Sequence, residues 1–232
     1  MEGLGLEVLD RLELSGEELV LDAGCGSGRV TQALLARLPR GRVIAVDQSE
    51  SMVRAARERL GPDVEVRRLD LLELEVDDPL DAILSTATFH WIADHELLFG
   101  RLRGALRDGG QLVAQCGGEG NITTLRGAIG PLMDREPYAE HFVSFTAPWN
   151  YASAQATEQR LLAAGFDGAR CWLAPAPRQP EQPREFLSTI VLGPHVQQLP
   201  RELRERFMDD VLERLDEPVT VDYVRLNIDA VA

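Results

Sequence analysis

Apolar and polar positions follow two different periods in the first half of the chain. The apolar run in "ELVLDAG" stops at a glycine, and Val30, Leu34 and Leu38 then recur at helical spacing until Pro39. A short apolar run bounded by a turn predicts a buried strand, whereas apolar residues three to four positions apart predict an amphipathic helix. The pattern therefore indicates a strand followed by a helix.

The same alternation continues to the middle of the chain. Ser49 is placed to cap a helix in "ESMVRAARERL", and Asp94 a helix in "HELLFGRLRGALRDGG" that ends at the glycines. Strands that alternate with helices pair in parallel through right-handed crossovers and form a doubly wound sheet. Further strands are predicted in "GRVIAVDQS", "DVEVRRLDLLEL", "LDAILSTATFHW" and "QLVAQCGG".

The second half has a less regular pattern. We predict a helix closed by Gly165 before the strand "GARCWLAP", two helices after the Pro-rich break "APAPRQPEQP", and a closing strand in "VTVDYVRLNIDAV". The expected fold class is α/β, with a doubly wound, mostly parallel seven-stranded sheet. Helices are expected on both faces, with helical insertions after strands five and six that cover one edge of the sheet.

Chain length favours a single core. With 232 residues, of which 44% are hydrophobic, the chain can bury one large core. We therefore expect one domain over residues 1–232. Its cofactor-binding half is expected at about 17–116, and its substrate or cap insertions at about 117–150 and 176–218.

The charge balance narrows the choice of partners. The chain has 38 acidic and 24 basic residues, a net charge of -14, and no lysine. Nucleic acids and anionic membranes bind to basic surfaces, so neither is an expected partner. A small-molecule acceptor is expected, with the protein a monomer or a homodimer.

The spacing of the cysteines and the composition of the first residues favour a cytoplasmic location for the protein. Cys25, Cys116 and Cys171 lie far apart without metal-binding spacing, so neither a zinc site nor a disulfide framework is expected. The first residues lack a basic region, and no apolar run is long enough to cross a bilayer. We therefore expect a cytoplasmic protein without a membrane span.

Three glycines, Gly24, Gly26 and Gly28, lie two positions apart directly after the first strand. Such a turn lies at the carboxyl ends of the strands, where the backbone can approach a cofactor and the next helix offers free N–H groups. The dinucleotide motif GxGxxG does not fit, because its last glycine would fall at Arg29. Asp22 instead stands two residues before the glycines.

This run resembles the first motif of the class I, Rossmann-like methyltransferases that use S-adenosylmethionine. Asp47 follows at the end of the second strand and Asp70 after the third, in "RRLDLL". "LSTATFHW" matches the end of the fourth strand, which faces the sulfonium in that family. The resemblance covers residues 17–116 in order, and the closing strand agrees with it.

The resemblance implies S-adenosylmethionine as cofactor and S-adenosylhomocysteine as product. Asp47 would accept both ribose hydroxyls, as a carboxylate can, and Asp70 would lie near the adenine amino group. Met52 would line the adenine or, as an equal alternative, pack in its helix. The cofactor-binding residues expected on this basis are Asp22, Gly24, Cys25, Gly26, Gly28, Asp47, Gln48, Met52, Asp70, Leu71, Ser85 and Thr86.

A finer resemblance is to the trans-aconitate methyltransferase group and related small-carboxylate methyltransferases. The matching stretches are "ATFHWIADH", "RLRGALRDGGQLVAQCGGEGN" and "APWNYASAQATEQRLLAAGF". Members of the group carry a longer amino-terminal segment that folds over the cofactor as a lid. Residues 1–17 precede the first strand here, so either the lid is missing or another segment replaces it.

His90 is the expected catalytic residue, because this position faces the transferred methyl group in that family. It could act as a general base toward a hydroxyl or donate a hydrogen bond to a carboxylate, and a structural role is an equal alternative. Trp149 and Tyr151 could wall the pocket or pack in the core. The expected substrate-binding residues are His90, Trp91, Arg126, Trp149 and Tyr151, and the histidines expected only at the surface or in helices are His95, His141 and His195.

Methyl transfer to a carboxylate is the favoured activity, since a carboxylate is ionised at neutral pH and needs no base. A phenol, an alcohol or a carbon nucleophile is the alternative acceptor. An NAD(P)-dependent oxidoreductase and a non-catalytic cofactor-binding protein are alternatives of other classes. The missing GxGxxG motif and the absence of lysine, which excludes a Tyr-x-x-x-Lys pair, argue against the oxidoreductase.

Overall fold

Seven strands form one sheet in the computed structural model, which describes residues 2–232. The strands are β1 (Leu19–Ala23), β2 (Arg42–Asp47), β3 (Glu65–Arg68), β4 (Leu80–Thr86), β5 (Leu106–Gly117), β6 (Gly168–Pro175) and β7 (Val224–Val231). They lie in the order β3-β2-β1-β4-β5-β7-β6. The first five pair in parallel, and β7 is antiparallel to both β5 and β6. The expected mostly parallel, doubly wound sheet is confirmed.

Helices connect the strands and fill the two insertions. The helices are α1 (Glu2–Leu9), α2 (Arg29–Ala36), α3 (Glu50–Leu60), α4 (His95–Ala105), α5 (Thr123–Met133), α6 (Ala139–Phe142), α7 (Ala154–Ala163), α8 (Pro183–Phe186), α9 (Gly193–Gln198) and α10 (Arg201–Leu212). Single turns of other helix types occur at Leu71–Glu73, Phe89–Trp91 and Leu187–Val191. Across residues 2–232, each helix is too short or too polar to cross a membrane.

The helix starts agree with the capping expected from the sequence. The Ser49 side chain accepts a hydrogen bond from the Met52 N–H, and the Asp94 side chain accepts one from the Leu97 N–H. Each cap satisfies a backbone donor that the first turn leaves without a partner.

The end of α4 differs from the expectation that this helix runs to the glycines. The helix stops at Ala105, and Gly109 and Gly110 belong to β5. A Cβ on Gly110 would lie 2.9 Å from the Arg107 carbonyl oxygen, so only glycine fits there. The register between β4 and β5 shifts at this point, so these glycines form an irregular strand start rather than a helix end.

The segment at 176–218 also differs from the two helices expected there. It contains α8, α9 and α10, with a π-helical turn at Leu187–Val191. Pro194 lies in the first turn of α9, and Pro200 directly precedes α10. Proline cannot continue a preceding helix, because it lacks the N–H and its ring clashes with the carbonyl four residues earlier. The helical pattern is therefore divided into shorter pieces.

Both insertions contribute to one hydrophobic cluster, separate from those on the two faces of the sheet. Leu125 and Leu132 of α5 pack there with Leu187 and Phe207 from the second insertion. The insertions start at the carboxyl ends of β5 and β6, and the second returns to the start of β7 at the same edge of the sheet. We call this cluster the cap, because it lies at the same edge of the sheet as the glycine turn.

Candidate active site

The glycine turn after β1 holds three left-handed backbone positions. Gly24, Gly26 and Gly28 have φ values of 82°, 53° and 79°. A Cβ on Gly24 would lie 2.0 Å from the Thr88 Oγ1, whereas one on Gly26 would meet no atom within 4 Å. Gly24 therefore allows Thr88 to approach, and Gly26 presents bare backbone to open space, as a bound cofactor would require.

Asp22 lies below this turn as a fully buried carboxylate. Its Oδ2 accepts a hydrogen bond of 2.6 Å from the Thr31 hydroxyl, and its buried Oδ1 has no partner. Burial raises the pKa of Asp22 to about 6; the bond from Thr31 opposes this rise and the charge of Asp47 adds to it. An unpartnered carboxylate oxygen at this depth fits a cationic group of a ligand, such as the amino group of S-adenosylmethionine.

Asp47 connects the end of β2 to the glycine turn. Its Oδ2 accepts from the Gly26 N–H at 2.9 Å, and its Oδ1 accepts from the Ser49 N–H at 2.8 Å. A carboxylate has about four acceptor positions, so two bonds leave capacity for further donors. Asp47 thus fixes the turn and can still accept ligand hydroxyls.

The next loop brings Gln48 and Asp70 together. Gln48 donates to Asp70 Oδ2 at 3.0 Å, and Asp70 Oδ1 accepts from the Leu72 N–H at 3.0 Å. Leu71 is buried beside them, whereas Met52 on α3 is 43% exposed. The loops after β2 and β3 are therefore joined by polar contacts, and the Met52 side chain beside them is exposed to solvent.

Three other residues named from the sequence have their polar groups occupied or shielded. The Ser85 hydroxyl is buried and donates to the Ala23 carbonyl at 2.6 Å, which ties β4 to β1. The Thr86 carbonyl accepts from the Thr88 hydroxyl at 3.1 Å. Burial raises the pKa of Cys25 to about 12, so its thiol stays protonated. Cys25 itself lies within the turn, between Gly24 and Gly26.

His90 follows β4 and is buried against the end of β5. Its Nδ1 accepts a hydrogen bond of 3.3 Å from the Gly117 N–H. Burial, with the charges of Arg225 and His95, lowers the pKa of His90 to about 3, so the ring is neutral at pH 7. A neutral ring that accepts at Nδ1 carries its proton on Nε2. His90 is therefore a hydrogen-bond donor at Nε2.

A stack of rings extends from His90 into the cap. Tyr151 stacks on His90 at 5.8 Å between centroids, and Trp149 stacks on Tyr151 at 5.7 Å. His195 of α9 continues the stack, 5.0 Å from Trp149. Trp91 contacts His90 at 5.0 Å but remains 44% exposed. The structure thus brings together four of the five residues expected at the substrate.

The fifth, Arg126, lies exposed on α5. Burial raises the pKa of the Tyr151 hydroxyl, and the charge of Arg126 opposes that rise, as does a hydrogen bond from Asn121.

Two histidines expected at the surface or in helices are helical but buried. His95 starts α4 and its Nε2 lies 2.9 Å from the Phe89 carbonyl oxygen. His195 lies in α9 between Trp149 and Phe145. Of the two alternatives, the helical one holds for both residues, and neither lies at the surface, because α4 and α9 turn these positions toward a core that the local sequence does not reveal.

Several residues of this site carry little or no signal in the sequence. Thr88 touches Gly24, Gly117 holds His90, and Arg225 lies buried at the start of β7. The signal for Arg225 was a lone arginine in the apolar run "VDYVRLNIDAV". Nothing local distinguishes Gly117 from the glycine beside it.

Comparison with known proteins places the chain in a family. Residues 20–110 match the model of a methyltransferase domain. The trans-aconitate 2-methyltransferase of Variovorax paradoxus (strain S110) is 32% identical over 237 aligned residues, covering 95% of this chain and 86% of that protein. The chain belongs to the class I S-adenosylmethionine-dependent methyltransferases.

Solved structures agree with the fold of this methyltransferase. YcgJ from Bacillus subtilis has a TM-score of 0.66 at 18% identity, covering 98% of this chain and 97% of that one. Phosphoethanolamine N-methyltransferase 2 of Haemonchus contortus, bound to S-adenosylhomocysteine, has a TM-score of 0.64 at 19% identity, covering 99% of this chain and 52% of that one.

Family membership rules out the two alternative functions of other classes. The chain is a methyltransferase, neither an NAD(P)-dependent oxidoreductase nor a non-catalytic binding protein, and its cofactor is S-adenosylmethionine.

Proposed function

We propose that this methyltransferase transfers a methyl group to a carboxylate oxygen of a small-molecule acceptor and forms a methyl ester. The observation that carries the proposal is the hydrogen bond from the Gly117 N–H to His90 Nδ1, 3.3 Å long. It leaves His90 with a proton on Nε2, so His90 can donate a hydrogen bond but cannot take a proton. A carboxylate is ionised at neutral pH, accepts such a hydrogen bond and needs no base, whereas a phenol or an alcohol needs a base.

The cofactor supplies a methyl group on a sulfonium, which is an activated leaving group. In this proposal Gly24, Gly26 and Gly28 let the backbone approach the cofactor, and Asp22 binds its ammonium group. Asp47 accepts the ribose hydroxyls. The loop that Gln48 and Asp70 share lies near the adenine, with Leu71 beneath it and Met52 against the ring.

Positioning is the main contribution of the acceptor side. His90 holds one carboxylate oxygen through Nε2–H, which leaves the other oxygen free to attack the methyl group. Trp149 and Tyr151 form a wall that fixes the acceptor and excludes water, and Trp91 closes the exposed side. Alignment of this kind contributes up to roughly 7 to 11 kcal/mol in well-oriented reactions.

Residues 17–116 bind the cofactor in this proposal, and the two insertions enclose the acceptor. The relative from Variovorax paradoxus is named for methylation of trans-aconitate, a tricarboxylate. That name and the donor role of His90 both support a small carboxylic acid as acceptor. The acidic chain, with a net charge of -14, does not attract anions over long range, so contacts within the site must bind them.

An acceptor panel tests the proposal. Initial rates of S-adenosylhomocysteine release would be measured with trans-aconitate, with a phenol, with an alcohol and with an amine. We expect turnover with trans-aconitate and background rates with the other three. Turnover confined to the phenol, the alcohol or the amine would overturn the proposal.

A further inference from the structure

Among the residues that the structure describes, the buried cation Arg225 has no anionic partner. The residue is 9% exposed, and its Nε is shielded from solvent and has no hydrogen-bond partner. The titratable groups whose charges act on Arg225 include Tyr223, Cys116, Tyr151 and Arg178, none of which is a carboxylate, and its own charge acts on the neutral His90. Buried charges in proteins are normally paired, so Arg225 has an unmet need for an anion.

The composition of the chain makes the missing partner significant. Acidic residues outnumber basic ones by 38 to 24, and several arginines of the fold are paired with them. Arg11 pairs with Asp229 on the same strand as Arg225, and Arg107 pairs with Asp81. The part of the chain that the structure describes supplies no such carboxylate to the buried Arg225.

Arg225 lies at the same edge of the sheet as the cofactor turn. It pairs in register with Gly117 across β5 and β7, and Gly117 donates to His90. Paired residues on antiparallel strands have Cα atoms about 4.5 to 5.5 Å apart. Arg225 is thus one strand spacing from the residue that orients His90.

The groups around Arg225 are donors and aromatic rings. Its guanidinium lies 4.4 Å from the centroid of the Tyr223 ring. Arg178, which follows β6, lies over Phe186 at 5.4 Å, and its positive charge acts on both Tyr223 and Arg225. A site on which two positive charges act favours binding of an anion, and the planar guanidinium of Arg225 matches a carboxylate in geometry.

We propose that Arg225, assisted by Arg178, binds a second carboxylate of the acceptor, one that is not methylated. The two arginines thereby select dicarboxylates and tricarboxylates over monocarboxylates. This assignment rests on the proposed carboxylate methylation. His90 holds the carboxylate that reacts, and Arg225 holds the one that anchors the molecule.

Three acids with the same unsaturated skeleton test the proposal. Crotonate has one carboxylate, fumarate two and trans-aconitate three. Binding of each would be measured by calorimetry with S-adenosylhomocysteine present, and kcat and KM by turnover. The proteins compared would be the parent, Arg225→Met, Arg225→Lys, Arg178→Met and the control Arg214→Met, which removes the same charge at an exposed site beyond α10.

We expect Arg225→Met to lower affinity and kcat/KM for trans-aconitate about tenfold to a hundredfold, mostly through KM. Crotonate and S-adenosylhomocysteine should change less than about twofold, since neither uses this charge. Arg225→Lys should recover part of the loss, because lysine keeps the positive charge but lacks the planar guanidinium that binds a carboxylate through two hydrogen bonds. Arg178→Met should give a smaller loss in the same direction, and Arg214→Met no change.

Two results would overturn the subsite. One is an equal loss for crotonate and trans-aconitate in both Arg225→Met and Arg178→Met. The other is tighter binding of inorganic phosphate than of trans-aconitate by the parent. If the parent binds trans-aconitate through Arg225 but does not methylate it, the subsite stands and the proposed reaction fails. A loss of S-adenosylhomocysteine affinity in Arg225→Met would indicate misfolding. In that case the proposal is judged on Arg178→Met alone, by whether it loses affinity for trans-aconitate but not for crotonate.

Discussion

The backbone N–H of Gly117 donates to Nδ1 of His90 across 3.3 Å. Through this bond the end of β5 fixes the tautomer of a buried ring on the neighbouring β4 loop. The side chain next to the expected methyl acceptor is therefore set as a neutral donor by the main chain of the sheet. Under the proposed function, a hydrogen-bond donor at this position suits a carboxylate acceptor, whereas a hydroxyl acceptor would need a base.

Replacement of His90 tests this role. We expect His90→Ala to lower kcat about tenfold to a hundredfold, because a hydrogen bond to a charged group contributes about 1.5 to 3 kcal/mol. His90→Gln should recover part of the activity, since its amide can donate. Affinity for S-adenosylmethionine should stay within about twofold of the parent in both variants. Equal activity of the parent and His90→Ala would remove His90 from the reaction.

The pH dependence of kcat gives an independent test of His90. Because the pKa of His90 is about 3, its protonation state does not change between pH 5 and pH 9. We therefore expect the parent and His90→Gln to show the same dependence of kcat on pH in this range. A general base would instead lose activity as pH falls through a pKa of about 6.5. ¹⁵N NMR of the imidazole would report the proton on Nε2 directly.

Asp22 should couple stability to cofactor binding. Its folded pKa is about 6 against an ordinary value of 3.8, so the unfolded chain loses its proton first as pH rises. Stability of the free protein therefore falls between these two values and stays low above them. Asp22→Asn should raise the free energy of unfolding at pH 7 by about 1 to 3 kcal/mol.

The same carboxylate should weaken cofactor binding in acid. If ionised Asp22 binds the ammonium group, affinity for S-adenosylmethionine is constant above pH 7 and falls below about pH 6. Asp22→Asn should lose affinity and the pH dependence together. Calorimetric titration between pH 5 and 8 measures both, and a pH-independent dissociation constant in the parent would count against the assigned contact.

Asp47 tests the proposed ribose site. Asp47→Ala should weaken S-adenosylmethionine binding by about 1.5 to 3 kcal/mol, the contribution of charge-assisted hydrogen bonds. Part of the loss comes from the Gly26 and Ser49 N–H groups that Asp47 also binds. Asp63→Ala, at an exposed carboxylate between α3 and β3, is the control and should bind normally. Unchanged affinity in Asp47→Ala would place the ribose elsewhere.

Gly117 tests how closely the acceptor wall is packed. A Cβ there would lie 2.7 Å from the Tyr151 ring and 2.8 Å from Asn121 Nδ2, so these side chains must move. Gly117→Ala should cost about 1 to 3 kcal/mol of stability through overpacking and should lower kcat/KM. Gly127→Ala, at an exposed position of α5 with no atom within 4 Å, should instead stabilise by about 1 kcal/mol. Thermal unfolding and turnover would be measured for both variants. Equal stability and equal kcat/KM of Gly117→Ala and Gly127→Ala would show that the side chains around Gly117 are not closely packed.

Local patterns were sufficient to predict the sheet and the cofactor turn. Short apolar runs, the caps at Ser49 and Asp94, and the spacing of Asp22 to the glycines all depend on residues a few positions apart. Interactions over such short distances along the chain can be predicted from the local sequence. Parallel order follows because helices alternate with the strands.

The cap and the acceptor side could not be predicted in the same way. Leu125 and Phe207 share a cluster although they lie in different insertions, and no local period connects them. Arg225 reads as an ordinary strand residue until β7 pairs between β5 and β6 and brings it beside Gly117. These features arise from long-range pairing, which single-sequence patterns do not encode.

The most direct test is the position of the transferred methyl group. S-adenosylmethionine labelled with ¹³C in the methyl group would be incubated with trans-aconitate and the enzyme, and the product examined by NMR and mass spectrometry. The account predicts one methyl ester, cleaved by mild alkali, and formed at a much lower rate by His90→Ala. A methyl group bound to an ether oxygen, to carbon or to nitrogen of any accepted substrate would contradict it.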